Sequence, residues 1–333
     1  MIRPEDVEFH ETDDADPTWA ETNYFGFYNA EHALNVGVYA LYRPNLGVVH
    51  STICMNSHAD AIQPWRADYA DYRGHCPIPE PRSLANYSLA NGLTVRTLKP
   101  NMDWEIHYDD GRGTTIDVVW RALMEPYDIR DPEMDPMVVQ KEGDFSWGTA
   151  YNGHFDLTGQ VEGEVSVRGR RYPIDCVSTM DHSWGPRTER GAPNMSWLHA
   201  HFSRSYAIHA IFTFDQNAGG TELALSHGYA LHDGGVYGLK AGRGTTKRDD
   251  DMCPAAIDLE VVDIRDRVHV LHGVPTSRFA WQCWPNMVGF NPLGRWTSDQ
   301  VPGVSGYGEI MDFFEIPGLT GVMAARRAAV AAG

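Results

Sequence analysis

The chain has 333 residues, of which 42% are hydrophobic, 22% charged and 11% aromatic, enough apolar material for two domain-sized cores and too much for a disordered chain. Acidic residues number 45 against 27 basic ones, for a formal net charge of −18, so phosphate backbones and anionic lipid surfaces are repelled and nucleic acid is excluded as a partner class. The 5 cysteines show no C-x-x-C spacing, which fits reduced thiols rather than a disulfide scaffold or a zinc ribbon.

In chain order, Met1-Ile2-Arg3-Pro4-Glu5-Asp6 carries no apolar leader and no later stretch is long and apolar enough for a bilayer, so a cytoplasmic protein without membrane insertion is expected. Residues 59–72 have the pattern of one or two helical turns. Period-2 alternation then dominates. Trp104, Ile106 and Tyr108 share a face, and the turn cluster Asp109-Asp110-Gly111-Arg112-Gly113 leads into a second run over 116–123, which predicts a hairpin. The stretch 125–143, rich in Pro, Asp and Glu, reads as a loop. A second hairpin spans 155–174, turning at Arg168-Gly169. Further strands fall at 206–214, at 257–261 and 268–270 around the turn 263–267, and at 307–316, with a short helix over 319–332. The pentapeptide at 111–115, Gly-Arg-Gly-Thr-Thr, recurs at 242–246, either as equivalent turns in two related halves or as ordinary glycine turns.

Nucleotide-binding glycine motifs, a nucleophile elbow and strand–helix alternation are missing, so no cofactor is expected. His199 and His201 on a strand would share a face, as metal ligands do, but no Glu follows at a matching spacing and no metal is expected. The densest chemistry lies in Met180-Asp181-His182-Ser183-Trp184-Gly185-Pro186-Arg187. In a strand, Asp181 and Ser183 face one way and His182 and Trp184 the other. Either Asp181 or His182 is a buried acid or base, or Asp181 pairs with Arg187 to staple a bend at Gly185-Pro186 with Trp184 as core. Glu309, alternating with Tyr307 and Met311, is a further acid on an apolar strand, a position usually paired with Arg.

The run Gly153-His154-Phe155, Gly163-Glu164-Val165-Ser166-Val167-Arg168-Gly169 and Asp181-His182-Ser183-Trp184-Gly185-Pro186-Arg187 resembles the AttH-like, carotenoid 1,2-hydratase-related double-lipocalin superfamily, in its bacterial branch with a D-H-S-W-G-x-R signature. Tyr24-Phe25-Gly26-Phe27-Tyr28, Tyr42-Arg43-Pro44-Asn45-Leu46-Gly47 and Gly306-Tyr307-Gly308-Glu309 extend the likeness over residues 20–316. The resemblance implies a mainly β chain of two antiparallel lipocalin-like barrel or sandwich halves packed together, here residues 1–175 and 176–333, with a pocket near their junction and a short C-terminal helix. Relatives such as kievitone hydratase act on large apolar molecules without metal or nucleotide. In the hydratases an acid of a D-x-x-W motif protonates an alkene, and the matching position is Asp181.

The expected protein is a cofactor-independent lyase, hydratase or isomerase acting on an apolar terpenoid-, polyketide- or aromatic-type molecule in a barrel pocket. Asp181 is its general acid or base, and His182, His199 or His201 moves the second proton. Arg187 orients Asp181 or steadies an oxyanion, and Glu309 is a further acid. Trp184, Trp197, Trp281 and Trp284, with Tyr24 and Tyr307, line the pocket. The alternatives are a non-catalytic carrier of an apolar molecule and, third, a metalloenzyme using His199 and His201. A homodimer is compatible with the sequence.

Overall fold

A computed structural model describes the chain except residues 13–15, 61, 141–150, 188–190, 192–193 and 333, and the side chain of residue 332. Antiparallel strands form two sheets. The first is an open, curled sheet whose spatial order runs Tyr69–Pro77, Val48–Asn56, Leu34–Arg43, Trp19–Asn29, Arg170–Pro186, Gly153–Val167, Thr115–Ala122, Asp103–Asp109, Leu93–Lys99 and Asn86–Ser88. The second runs from Asn194–Ser203 through six further strands to Gly306–Glu315, which pairs back with Asn194–Ser203 and closes an eight-stranded barrel.

The burial patterns explain the arrangement. Asp103–Asp109 alternates buried and exposed residues, as a sheet with one wet face requires. Trp19–Asn29 and Leu34–Arg43 are buried at every position, and Asn194–Ser203 at its first eight, because both faces of these strands are covered. On Trp19–Asn29, Phe25 and Phe27 enter the core inside the curled sheet, while Tyr24 faces the barrel. On the barrel, Leu198, Ile310 and Phe314 point inward, whereas Trp197, Met311 and Phe313 point out toward the curled sheet. Three apolar clusters result: one per half and a third, rich in aromatic rings, between them.

Several expectations are met and others corrected. The hairpin turn at Arg168-Gly169 is present with positive φ at both residues (51° and 86°), the two-residue geometry that suits strand twist. The C-terminal helix spans Ile316–Ala332. The first sheet continues to Pro186, so residues 176–186, expected in the second half, belong to the first. Strand pairing with Trp19–Asn29 persists through Pro186, so Gly185-Pro186 makes no sharp bend. Residues 59–72 hold one 3-10 turn, Pro64–Arg66, and then enter a strand. Residues 125–143 include a short helix, Pro136–Gln140, and residues 141–143 lie outside the described residues. The repeated pentapeptide does not mark equivalent turns. Gly111 and Gly113 sit in a hairpin turn, but Gly242 and Gly244 lie inside the strand Gly235–Arg248. Packing demands the second pair: a Cβ on Gly244 would lie 2.5 Å from Leu259. Among the described residues no helix is long and apolar enough to cross a membrane.

Candidate active site

A narrow cavity lies in the aromatic layer between the halves, at the junction where the resemblance implies a pocket, and not inside either of them. Its walls are Tyr24, Tyr39, Tyr151, Trp197, Trp281 and Trp284 with Met195, Ile211, Met311 and Phe313. Four polar residues reach it from the first sheet: Thr22, His154, Asp181 and Ser183. About 40 Å³ of the cavity admits water, room for one or two molecules. A groove of about 700 Å³ on the surface shares Cys283 and Trp284 with it, so these two residues partition the cavity from an open cleft. Trp284 is held in that position by donating Nε1–H to the Tyr39 hydroxyl at 2.7 Å.

Hairpin register brings the polar groups together. Counting back from the turn at 168–169 places Asp156 directly opposite Asp181 and His154 opposite Ser183. Opposed residues share a face, so two carboxyls meet behind one cavity. Their surroundings differ. Asp156 is fully buried and accepts hydrogen bonds from His154 Nε2 (3.0 Å) and Trp197 Nε1 (3.0 Å), with His209 Nε2 also 3.0 Å away. Burial opposes its charge, but His209 and His154 outweigh burial and hold the Asp156 carboxyl well below the usual range. Asp181 Oδ1 is buried without a hydrogen-bond partner. Burial drives its pKa from the usual 3.8 up to about 7, with His154 pulling it down and Asp156 pushing it up. His154 resists burial through the adjacent Asp156 carboxylate, which raises its pKa, and its Nδ1 is buried and unpartnered. Neighbouring carboxyls driven in opposite directions are the arrangement that separates an acid from a charge stabiliser. Asp181 Oδ1 and His154 Nδ1 are therefore two titratable atoms without hydrogen-bond partners in the protein, on one apolar cavity.

Arg187 is buried beside this group. Its Nη2–H donates to Ser183 Oγ (2.8 Å), and its guanidinium lies 4.3 Å from the Tyr151 ring centre and 5.5 Å from that of Trp284. Its Nε and Nη1 are buried without partners. It makes no ion pair with Asp181 among the described residues, so the stapling arrangement is absent. Tyr24 links the cavity to a second buried acid. Its hydroxyl donates to Glu309 Oε1 at 2.6 Å, and Asn35 and Asn291 each donate to the same oxygen at 3.0 Å. Burial raises the Glu309 pKa above the usual 4.5, against the lowering effect of these three donors. Glu309 Oε1 is thus satisfied by two amides and a phenol, not by an arginine, while Oε2 is buried without a hydrogen-bond partner.

Of the residues singled out from sequence, Asp181, Trp197, Trp281, Trp284 and Tyr24 line the cavity, and Arg187 and Glu309 stand behind it. A register shift between Trp281 and Trp284 brings both indoles to the same wall. His182 and Trp184 face the opposite side of the strand, where Trp184 stacks on His10 with ring centres 3.8 Å apart. His182 therefore cannot pass a proton to the cavity. His199 lies behind Trp197, with Nδ1 3.0 Å from His209 Nδ1. His201 spends both ring nitrogens, on Thr179 Oγ1 (2.9 Å) and the Tyr307 carbonyl (3.0 Å), so it offers no lone pair to a metal or a substrate. Tyr307 packs against Tyr28, away from the cavity. A second histidine group, His232, Asp263 and His269, is likewise closed, because its ring nitrogens are taken by Asp233, Asp263 and Tyr206. The residues missed from sequence are His154, Asp156, Tyr39 and Tyr151.

Comparisons with solved structures show the AttH-like double-lipocalin fold. Kievitone hydratase from Nectria haematococca superposes with a TM-score of 0.54 at 12% identity, covering 91% of each chain. A protein from Nitrosomonas europaea assigned as AttH gives 0.56 at 10% identity over 95% of this chain and 97% of that one. CghA gives 0.56 at 11% over 90% and 89%, and the fold is also matched by CghA with Sch210972. At such identities the likeness is one of fold. No curated protein matches the sequence. The family model DUF7064, a domain of unknown function, matches residues 3–312, and the chain belongs to that family.

Proposed function

We propose that this DUF7064 protein is an acid–base enzyme, a hydratase, lyase or isomerase, acting on an apolar terpenoid-, polyketide- or aromatic-type molecule between its two β halves. The observation that carries the reading is the Asp181 carboxyl: half-buried, with Oδ1 buried and unpartnered, shifted to about 7 and lining an aromatic cavity. At neutral pH such a group holds a proton that it can give to an alkene or enol carbon, while the His154 imidazole, held toward its charged form by Asp156, offsets the negative charge left on Asp181. His154, with its free Nδ1, replaces His182, His199 and His201 as the second proton-transfer group. The rings of Trp197, Trp281 and Trp284 present π faces to a cationic carbon. Substrate enters from the surface groove when the Trp284 indole swings aside, because the closed cavity holds only water. The names of two fold neighbours, kievitone hydratase and CghA with its bound Sch210972, support an organic ligand of moderate size for this fold.

The test is incubation in deuterium oxide with a panel of terpenoid, polyketide and phenolic alkenes, followed by mass spectrometry. Addition or loss of water changes the mass by a water unit, and isomerisation leaves deuterium on carbon. Asp181→Asn should reduce turnover by about 10²–10⁴-fold while the protein stays folded. A variant with unimpaired turnover would overturn the assignment. Tight binding with every ligand recovered unlabelled would make the protein a carrier instead.

A further inference from the structure

The strand that presents Asp181 to the cavity presents His182 to the other side, and there the chain assembles a second cluster independent of the proposed catalysis. A ring nitrogen of His10, a ring nitrogen of His182 and a carboxylate oxygen of Glu21 all lie within 4.8 Å of one another. Glu21 is completely buried. Its Oε1 accepts the His10 backbone N–H (2.7 Å) and Trp19 Nε1–H (3.3 Å), and its Oε2 lies 2.9 Å from His10 Nδ1. His10 is the one basic group paired with Glu21 among the described residues. A second carboxylate, Asp6, comes within 3.5 Å of His10 Nε2.

The proton positions set the chemistry. His182 Nδ1 lies 2.7 Å from the Thr22 carbonyl, which can only accept, so Nδ1 carries the hydrogen and Nε2 keeps its lone pair. That Nε2 is buried and has no hydrogen-bond partner, and His10 Nε2 likewise makes no hydrogen bond, with only the Asp6 carboxylate 3.5 Å away. A ring nitrogen of each histidine and a carboxylate oxygen of Glu21 gathered within 4.8 Å, with the His182 N–H fixed on a backbone carbonyl behind its ring, form a metal-ligand set with one outer-shell bond in place. His10 is partly exposed and lines a shallow surface groove with Glu8, Thr12 and Asn45, which gives an ion a way in.

We propose that His10, Glu21 and His182 bind one divalent cation of the zinc class, which fastens the N-terminal segment to the back of the strand carrying Asp181. Two imidazoles and a carboxylate suit zinc over calcium or magnesium. Asp6 is the nearest group for the remaining coordination position. The role is structural, because the strand itself separates the ion from the cavity.

The experiment uses tag-free protein, so that no affinity matrix supplies metal. Elemental analysis, calorimetric titration of chelator-treated protein with zinc chloride, and visible absorption after cobalt(II) loading are measured together, with melting curves with and without zinc. The expected result is about one equivalent bound, d–d absorption bands of a low-coordinate cobalt site, and a higher melting temperature with zinc. His10→Ala should abolish all three effects, and His107→Ala, a change at an exposed histidine, should abolish none. His182→Gln repeats the test from the second ligand; should it fail to fold, His10→Ala decides alone. Less than a tenth of an equivalent bound, no cobalt bands, or undiminished zinc binding by His10→Ala would overturn the proposal.

Discussion

Replacing Asp181 by asparagine removes the ionisable group and keeps its shape, so its effect on stability should depend on pH in a calculable way. In the native state the carboxyl titrates near 7; unfolded, it returns to about 3.8. Between those values the native protein holds a proton that the unfolded chain has released. The contribution of Asp181 to stability therefore falls as pH rises through this window and is level above it. The gap of about three pH units, at roughly 1.36 kcal/mol per unit, corresponds to about 4 kcal/mol. The assay is guanidinium unfolding of parent and variant at pH 4.5 and pH 8.5, read as the difference between them, so that all other titrations cancel. Asp181→Asn should be near parity with the parent in acid and gain about 2–4 kcal/mol over it in base. A variant equally destabilised at both pH values would refute the reasoning, because a staple loses the same energy at any pH while a desolvated acid does not.

Turnover should decline as pH rises above about 7, since the protonated form of Asp181 is the donor; a rate that climbs through pH 8 contradicts that role. Asp156→Ala, which strips His154, His209 and Trp197 of their common carboxylate, should cost about 3–5 kcal/mol in denaturant unfolding, and a loss below about 1 kcal/mol would show that the histidines pair elsewhere. Gly26→Ala would place a Cβ 2.6 Å from Glu309 Oε2 and should destabilise by about 1–3 kcal/mol in thermal melts, where parity would mean that the Glu309 side chain yields freely. Trp284→Phe breaks the bond to Tyr39 and thins the partition, so an apolar fluorophore should associate several-fold faster by stopped flow, and an unchanged rate removes the gate.

The strand content, both hairpins and the two-face division around Asp181 were legible because alternation and turn chemistry act locally. His154 and Asp156 were legible in principle, since a two-residue turn at 168–169 fixes the partner of every residue on that hairpin. Neither lies in the dense run after Met180, and neither stands out by residue type alone. Tyr39 and Tyr151 could not be found this way. Nothing local says that a strand buried on both faces uses one of them to meet another half of the molecule. His199 and His201 look like ligands in sequence, and only tertiary partners, Thr179 and the Tyr307 carbonyl, reveal that the second of them is spent. The boundary expected at residue 176 erred because one long strand crosses it.

Each half keeps its own apolar interior, and the cavity belongs to neither. Ligand choice and foldability are therefore governed by separate sets of side chains. The seam could be rewritten over evolutionary time, ring by ring, to suit a new guest, while both lumens stayed filled and the chain kept its melting point.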